Sequence, residues 1–290
     1  MEKGTQLRAM LKAPGILIAP GAYDGLTARL VEMQGFPVVY ATGAGISNSQ
    51  LGLADMGLAT MNEILDQVRK MTAAVSVPVV ADIDTGYGNA LNVMRTVKEF
   101  IRAGAAGVQI EDQVSPKRCG HFAGKEVIPK AEAVLKIRAA AEARGNHDLV
   151  IIARTDAIAV AGLDEAVDRA KAYTEAGADV IFVEAPRSRE ELAEVARRVP
   201  GPKVANMVEG GKTPQVTAAE LETMGYKLVL YANCVLRSAI LAAQNTLRYL
   251  YEHGDTASVL DQMVTMTERN RVTDKPRLDE MERRFVQGNL

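Results

Sequence analysis

At 290 residues, 48% of them hydrophobic and 24% charged, the chain can bury a sizeable core beneath a normally solvated surface, which excludes disorder for most of it. Its 34 basic and 36 acidic residues leave a formal net charge of −2, so nothing electrostatic favours nucleic acid or an anionic membrane as partner, and small molecules are expected instead. No apolar run reaches the roughly 18 residues of a membrane span, no signal-like core follows Met1, and two cysteines, Cys119 and Cys234, cannot make a disulfide framework; a soluble cytoplasmic protein is expected. With only His121, His147 and His253, a histidine-rich zinc site is not expected.

In chain order, short β-branched runs alternate with segments of helical periodicity. Strands are expected over Ile16–Ala19, Val38–Thr42, Val77–Asp84, Gly107–Asp112, Val150–Asp156, Val180–Glu184, Lys203–Val208 and Lys227–Asn233. Helices are expected over Asp24–Gln34, Met61–Ala74, Ala90–Ala103, Lys130–Ala143, Leu163–Ala176, Arg189–Arg198, Ala218–Met224 and Leu236–His253. Six of these helices run into a glycine, as at Gly177 and Gly225, where a left-handed residue ends a helix without a Cβ penalty. Eight such pairs imply an α/β protein, a closed (β/α)₈ TIM-type barrel over residues 1–254, with an open doubly wound sheet as the alternative. Beyond Gly254, Thr256–Arg271 and Pro276–Gln287 read as two helices without strands. Residues 255–290 are therefore an extension whose apolar faces need cover from the barrel or from another subunit.

Active sites of parallel barrels form at the carboxyl ends of the strands. Here those ends carry Asp82-Ile83-Asp84-Thr85-Gly86-Tyr87-Gly88, Glu111-Asp112, Arg154-Thr155-Asp156, Glu184, and Asn206 with Glu209. Alternation puts Asp82 and Asp84 on one side of their strand. Clustered carboxylates without His or Cys favour Mg²⁺, or Mn²⁺; the competing reading is a structural network with Arg154 or Lys212. A ring of like charge at one barrel mouth is costly to folding, which weighs toward the cation.

The segment Gln113–Pro129 is long for a strand-to-helix loop and contains Lys117-Arg118-Cys119-Gly120-His121. Such loops often close over substrate, and positive neighbours could tune Cys119 for proton transfer, whereas Cys234 reads as a small apolar residue. Gly43-Ala44-Gly45 follows a strand, but no third glycine follows and no helix is expected to start at once, so a dinucleotide fingerprint is rejected; its amides could bind a carboxylate. Gly210-Gly211-Lys212-Thr213 lacks the spacing of a phosphate loop.

The Asp82–Gly88, Glu111-Asp112-Gln113, Lys117–His121, Ala153–Asp156 and Asn206–Pro214 elements together resemble the isocitrate lyase and phosphoenolpyruvate mutase superfamily, from about Leu7 to the C-terminal helices. The resemblance implies a (β/α)₈ barrel with Mg²⁺, commonly a homotetramer exchanging a C-terminal helix. It implies Asp84 as direct metal ligand, with Asp82, Glu111 and Asp55 holding the ion's waters. Tyr40, Thr42, Gly43 and Ala44 would receive the substrate's 2-oxo or 2-hydroxy carboxylate, Arg154 would anchor it, and Glu184, Asn206 and Arg237 would bind the distal carboxylate. Cys119 would be the general acid, with Tyr40, Arg154, Glu111 and His121 as further catalytic groups and Gly120 as a substrate contact.

Within the superfamily, the Cys-bearing loop and Arg237 lean toward carbon–carbon lyases. Val208 stands where 2-methylisocitrate lyases have Thr, Gly210 where they have an aromatic, and Thr42 where lyases commonly have Ser. A 2,3-dimethylmalate-like dicarboxylate is thus favoured over a tricarboxylate. The rivals are a carboxyvinyl-carboxyphosphonate or phosphoenolpyruvate phosphonomutase, an oxaloacetate decarboxylase or hydrolase, and a catalytically silent binding barrel, which a missing metal carboxylate would have signalled.

Overall fold

The computed structural model describes residues 2–118 and 124–286. Eight parallel strands, β1 (Leu17–Ala22), β2 (Val39–Ala41), β3 (Val79–Asp82), β4 (Gly107–Glu111), β5 (Val150–Thr155), β6 (Val180–Val183), β7 (Lys203–Asn206) and β8 (Leu228–Tyr231), pair in sequence order and close β8 onto β1. Before them comes α1 (Lys3–Lys12). Around them run α2 (Gly25–Met33), α3 (Gly43–Ile46), α4 (Met61–Ala74), α5 (Ala90–Arg102), α6 (Lys130–Arg144), α7 (Ile158–Ala161), α8 (Leu163–Glu175), α9 (Arg189–Arg198), α10 (Ala218–Met224) and α11 (Cys234–His253). The expected (β/α)₈ barrel is the fold observed.

Strand alternation divides the core in two. Ile151 and Ala153 of β5 face the helices, in one cluster with Val68, Phe100, Ile137 and Tyr173. Val150 and Ile152 face inward, with Tyr40, Val80, Phe182, Val204 and Leu230. Leu7 of α1, backed by Met10 and Leu11, joins this inner cluster and stops the amino end of the barrel with apolar surface. The inner side chains turn from apolar to polar toward the carboxyl ends: Ile152 is followed by Arg154, Phe182 by Glu184, Val80 by Asp82 and Val204 by Asn206. That switch of chemistry on one face, at a period of two, builds the mouth.

Local differences from the sequence expectation have identifiable causes. Strand β3 stops at Asp82, because Asp84 lies in the left-handed region at φ 47° and turns the chain across the mouth. Contrary to expectation, a helix does start at once at Gly43: the Thr42 side chain accepts from the Gly45 amide and caps α3, which continues into a π-turn over Ser47–Leu51. Helix α1, which carries few apolar residues, was not foreseen. Thr256–Arg271 is not one helix but a 3₁₀ segment, Ala257–Gln262, followed by α12 (Met266–Val272), because Thr265 caps a new helix on the Glu268 amide. The last helix, α13, covers Lys275–Phe285.

The chain forms two compact units, Met1–Leu236 and Arg237–Leu290. In the second, α12 packs against α13, which has no buried residue. Among the described residues, no helix is long and apolar enough to cross a membrane.

Candidate active site

Neighbouring strand ends bring the polar groups together. On β2 and β3, the Tyr40 hydroxyl lies 3.2 Å from Asp82 Oδ2, and the Asp84 amide donates to Asp82 Oδ1 at 3.1 Å. Gly43 is pressed close above them: a Cβ there would meet Asp82 Oδ2 at 3.1 Å, so a side chain at this position would push the carboxylate aside. Glu111 ends β4 and Arg154 stands beside it on β5, paired in register. Arg154 Nε is 3.2 Å from Glu111 Oε2 and 2.9 Å from Asp156 Oδ2, while its Nη1 is 3.5 Å from Glu184 Oε2. The guanidinium also lies over the Phe182 ring, 5.1 Å from its centre. Asn206 Nδ2 donates toward Glu184 Oε2 at 3.5 Å, extending the row to β7.

Two buried lysines flank this row. Lys117 pairs with Asp55 Oδ1 and lies 3.0 Å from Asp84 Oδ1; Lys125 donates to Asp156 Oδ1 at 2.6 Å. Both stand at the feet of the long loop, which an antiparallel bridge between Gln113 and Val127 closes, and the Gln113 side chain bonds the Arg118 backbone through both its oxygen and its nitrogen. Cys119, Gly120 and His121 lie outside the described residues. Asp112 turns away into a structural role, accepting from Thr155 and Tyr173 hydroxyls at 2.7 Å each and from the Asp156 amide at 2.9 Å.

A small cavity at the mouth is lined by Tyr40, Thr42, Ala44, Asp55, Asp82 and Arg154, and on its far side by Glu184, Asn206, Val208 and Asn233. It gathers most of the residues that the sequence singles out. Arg237, in the first turn of α11, belongs to the second unit. Lys117 and Asn233 also line the cavity and were not assigned from sequence, although Lys117 sits in the very motif that carries the resemblance. A larger, shallow depression at the opposite barrel end, near Lys98, Arg102 and His147, collects none of the motif residues.

Burial and charge set the protonation states. Burial raises Asp84 to about 6, against the pull of Lys117, and raises Glu111 well above the usual carboxylate range despite Arg154. Burial alone would raise Asp156 too, but Arg154 and Lys125 outweigh it and hold that carboxyl at about 2. Burial pushes Lys117 down, yet Asp84, Glu111, Asp55 and Asp82 around it win, so it keeps its proton. Burial and then Asp82 raise Tyr40 well above its ordinary value, leaving a neutral hydroxyl.

The acids fit a hard divalent cation by an observation independent of sequence: among the described residues, Glu111 Oε1 is buried and accepts no hydrogen bond, and Asp84 Oδ1 meets a single ammonium, that of Lys117. Burial, which raises both pKa values, is the cost a bound cation would offset. Among the described residues, no three acidic, His or Cys side chains converge closely enough to chelate an ion directly. The set therefore suits an ion held by one carboxylate and, through water, by others, which is the habit of Mg²⁺.

Residues 7–251 match the phosphoenolpyruvate phosphomutase family. The chain is 44% identical to the 2,3-dimethylmalate lyase of Eubacterium barkeri over 288 residues, covering 99% of this chain and 100% of that protein. It is 46% identical over 265 residues to the 2-methylisocitrate lyase of Aeropyrum pernix, covering 91% and 85% respectively. Among solved structures, oxaloacetate acetylhydrolase in complex with the inhibitor 3,3-difluorooxalacetate superposes with a TM-score of 0.92 at 36% identity, covering 99% of this chain and 98% of the other.

Proposed function

The chain belongs to the phosphoenolpyruvate phosphomutase family, within the superfamily that also holds isocitrate lyase, and from that membership we propose a Mg²⁺-dependent lyase that cleaves a carbon–carbon bond in a small 2-hydroxy diacid of the 2,3-dimethylmalate type. The products are pyruvate or another 2-oxo acid and a carboxylate. The observation that carries this reading is the mouth cavity itself, where Asp55, Asp82 and Glu184 stand beside Arg154 and a proton-bearing Tyr40.

Asp84 would hold Mg²⁺, or Mn²⁺, directly, with Asp82, Glu111 and Asp55 acting through water. Such an ion would supply positive charge where negative charge grows on the substrate. Thr42, with the Gly43 and Ala44 amides, receives that carboxylate, and Arg154 anchors it. Glu184 and Asn206 would bind the distal carboxylate, a role the resemblance also gives to Arg237. A base would take the 2-hydroxyl proton; as the 2-oxo group forms, the carbon–carbon bond breaks and its electron pair goes to the departing fragment, an aci-carboxylate that Cys119 would protonate, aided by Gly120 and His121. Val208 gives the far wall an apolar methyl pair, which favours an alkyl-substituted dicarboxylate over a third carboxylate.

The test is pyruvate release, coupled to lactate dehydrogenase, from 2,3-dimethylmalate, 2-methylisocitrate and oxaloacetate. Activity on a hydroxy diacid is expected to collapse with chelator and in Cys119→Ser. Turnover of oxaloacetate alone overturns the lyase reading in favour of a decarboxylase or hydrolase, the second reading, which likeness to the acetylhydrolase supports.

The second unit leaves Leu247, Tyr251, Leu260, Met266 and Phe285 exposed. Apolar surface of that density is covered in oligomers, and we propose a cytoplasmic homotetramer whose C-terminal helices meet another subunit. Light scattering that returns a monomer mass would rule it out.

A further inference from the structure

Gln109 lies on β4 two residues before Glu111, on the same inward face, and is fully buried. The β3–β4 register places it directly beside Asp82. Its Oε1 is 3.1 Å from the Tyr40 hydroxyl and its Nε2 is 3.5 Å from Asp82 Oδ1. The three side chains form a closed triangle beneath the cavity, completed by the 3.2 Å contact between Tyr40 and Asp82 Oδ2.

Charge fixes which way the amide points. Turned over, Gln109 would set its carbonyl oxygen against the Asp82 carboxylate, so the nitrogen must face Asp82 and the oxygen must face Tyr40. Tyr40 has one proton and two acceptors within reach. It can give that proton to Asp82, or turn it to Gln109 and leave Asp82 Oδ2 unencumbered. Without Gln109, Asp82 is the one acceptor left among the described residues to a buried hydroxyl, and an unpaired buried hydroxyl is costly, so the Tyr40 hydroxyl would stay turned to Asp82. A single neutral side chain thus decides whether an acid of the cation site is free.

We infer that Gln109 is a positioning residue for the reaction: it steadies the Asp82 carboxylate and takes the Tyr40 proton off it when Asp82 is needed. This rests on the cation-dependent lyase reading above. The test is calorimetric Mg²⁺ binding together with steady-state kinetics on wild type, Gln109→Met and Gln109→Leu, two apolar replacements of similar size, either of which suffices if the other does not fold. Mg²⁺ affinity is expected to fall at least tenfold, and kcat at least tenfold with KM changed less than threefold. In a Tyr40→Phe background, Gln109→Met should change Mg²⁺ affinity less than threefold, because the proton to be redirected is gone. Variants that melt earlier but keep wild-type Mg²⁺ affinity and an even kcat and KM response overturn the inference and leave Gln109 a packing residue. A wild type that binds no Mg²⁺ overturns the underlying reading as well.

Discussion

The two ends of the barrel treat their charged groups in opposite ways. At the amino end, Asp179 accepts from both Arg8 nitrogens at 2.8 and 2.9 Å, from Arg144 at 2.6 Å and from the Ile151 amide at 2.8 Å, while Arg8 also donates to the Asp148 and Leu149 carbonyls. Both carboxylate oxygens of Asp179 are hydrogen-bonded. At the carboxyl end, among the described residues, Glu111 Oε1, Asn206 Oδ1, Asn233 Oδ1 and the Tyr87 hydroxyl are buried and make no hydrogen bond. Each such group costs about 1–3 kcal/mol. One end is built for stability; the other gives stability up to leave groups ready for a ligand.

The comparison can be broken most directly at Asp84. Asp84→Asn should lower kcat/KM by about 10³-fold or more, on the scale of losing a charge-stabilising group at a reaction centre, while the melting temperature holds or rises. A melting temperature that drops with activity would place Asp84 among the structural acids. The reverse is expected at the other end. Asp179→Ala should cost about 2–3 kcal/mol of unfolding free energy, less than a fully buried network because these side chains are partly exposed, with kcat/KM within about twofold of wild type. Denaturant melts and kinetics on the same two variants decide both points.

Asp156 sharpens the picture, since it belongs to the mouth yet is fully paired. Its folded value of about 2 lies below the ordinary 3.8. Its contribution is therefore present above about pH 4 and is lost as the pH falls toward 2, on the order of 2 kcal/mol. The stability gap between wild type and Asp156→Asn should be flat above that range and narrow below it, as read by urea melts from pH 6 to 2. The smallest effect belongs to a helix cap whose residues do not line the cavity. Thr217 and Glu220 form a reciprocal cap on α10, and Thr217→Ala should cost about 1 kcal/mol with no change in KM.

Much of the mouth was legible before any coordinates. Asp82, Glu111, Arg154, Glu184 and Asn206 each close a β-branched run, and in a parallel barrel the end of such a run is the mouth. Alternation also puts Asp82 and Asp84 on one side of their strand, although the strand ends at Asp82 and Asp84 lies in the turn beyond it. Gln109 was invisible, although it shares its face with Glu111, because a neutral amide inside a strand reads as one more pattern residue. Lys117 was quoted as part of a motif but not assigned to the carboxylates, since pairing with Asp55 and Asp84 depends on the path of a loop, which no periodicity describes. The Thr265 cap that splits the expected Thr256–Arg271 helix was overlooked for the same reason, as a hydroxyl that begins one helix looks like any polar residue within another.

The sequence by itself determined the eight-fold alternation of strand and helix, the closed barrel that follows from it, and the family to which the strand-end motifs belong, because these rest on periodicity and on side-chain type at fixed chain positions. Only the tertiary structure decided which charges meet. It put Asp112 on Thr155 and Tyr173, Asp156 on Arg154 and Lys125, and Lys117 against Asp84. Partnership between charges depends on distances across strands and loops, and a carboxylate left without a hydrogen bond is defined by everything around it rather than by its own place in the chain.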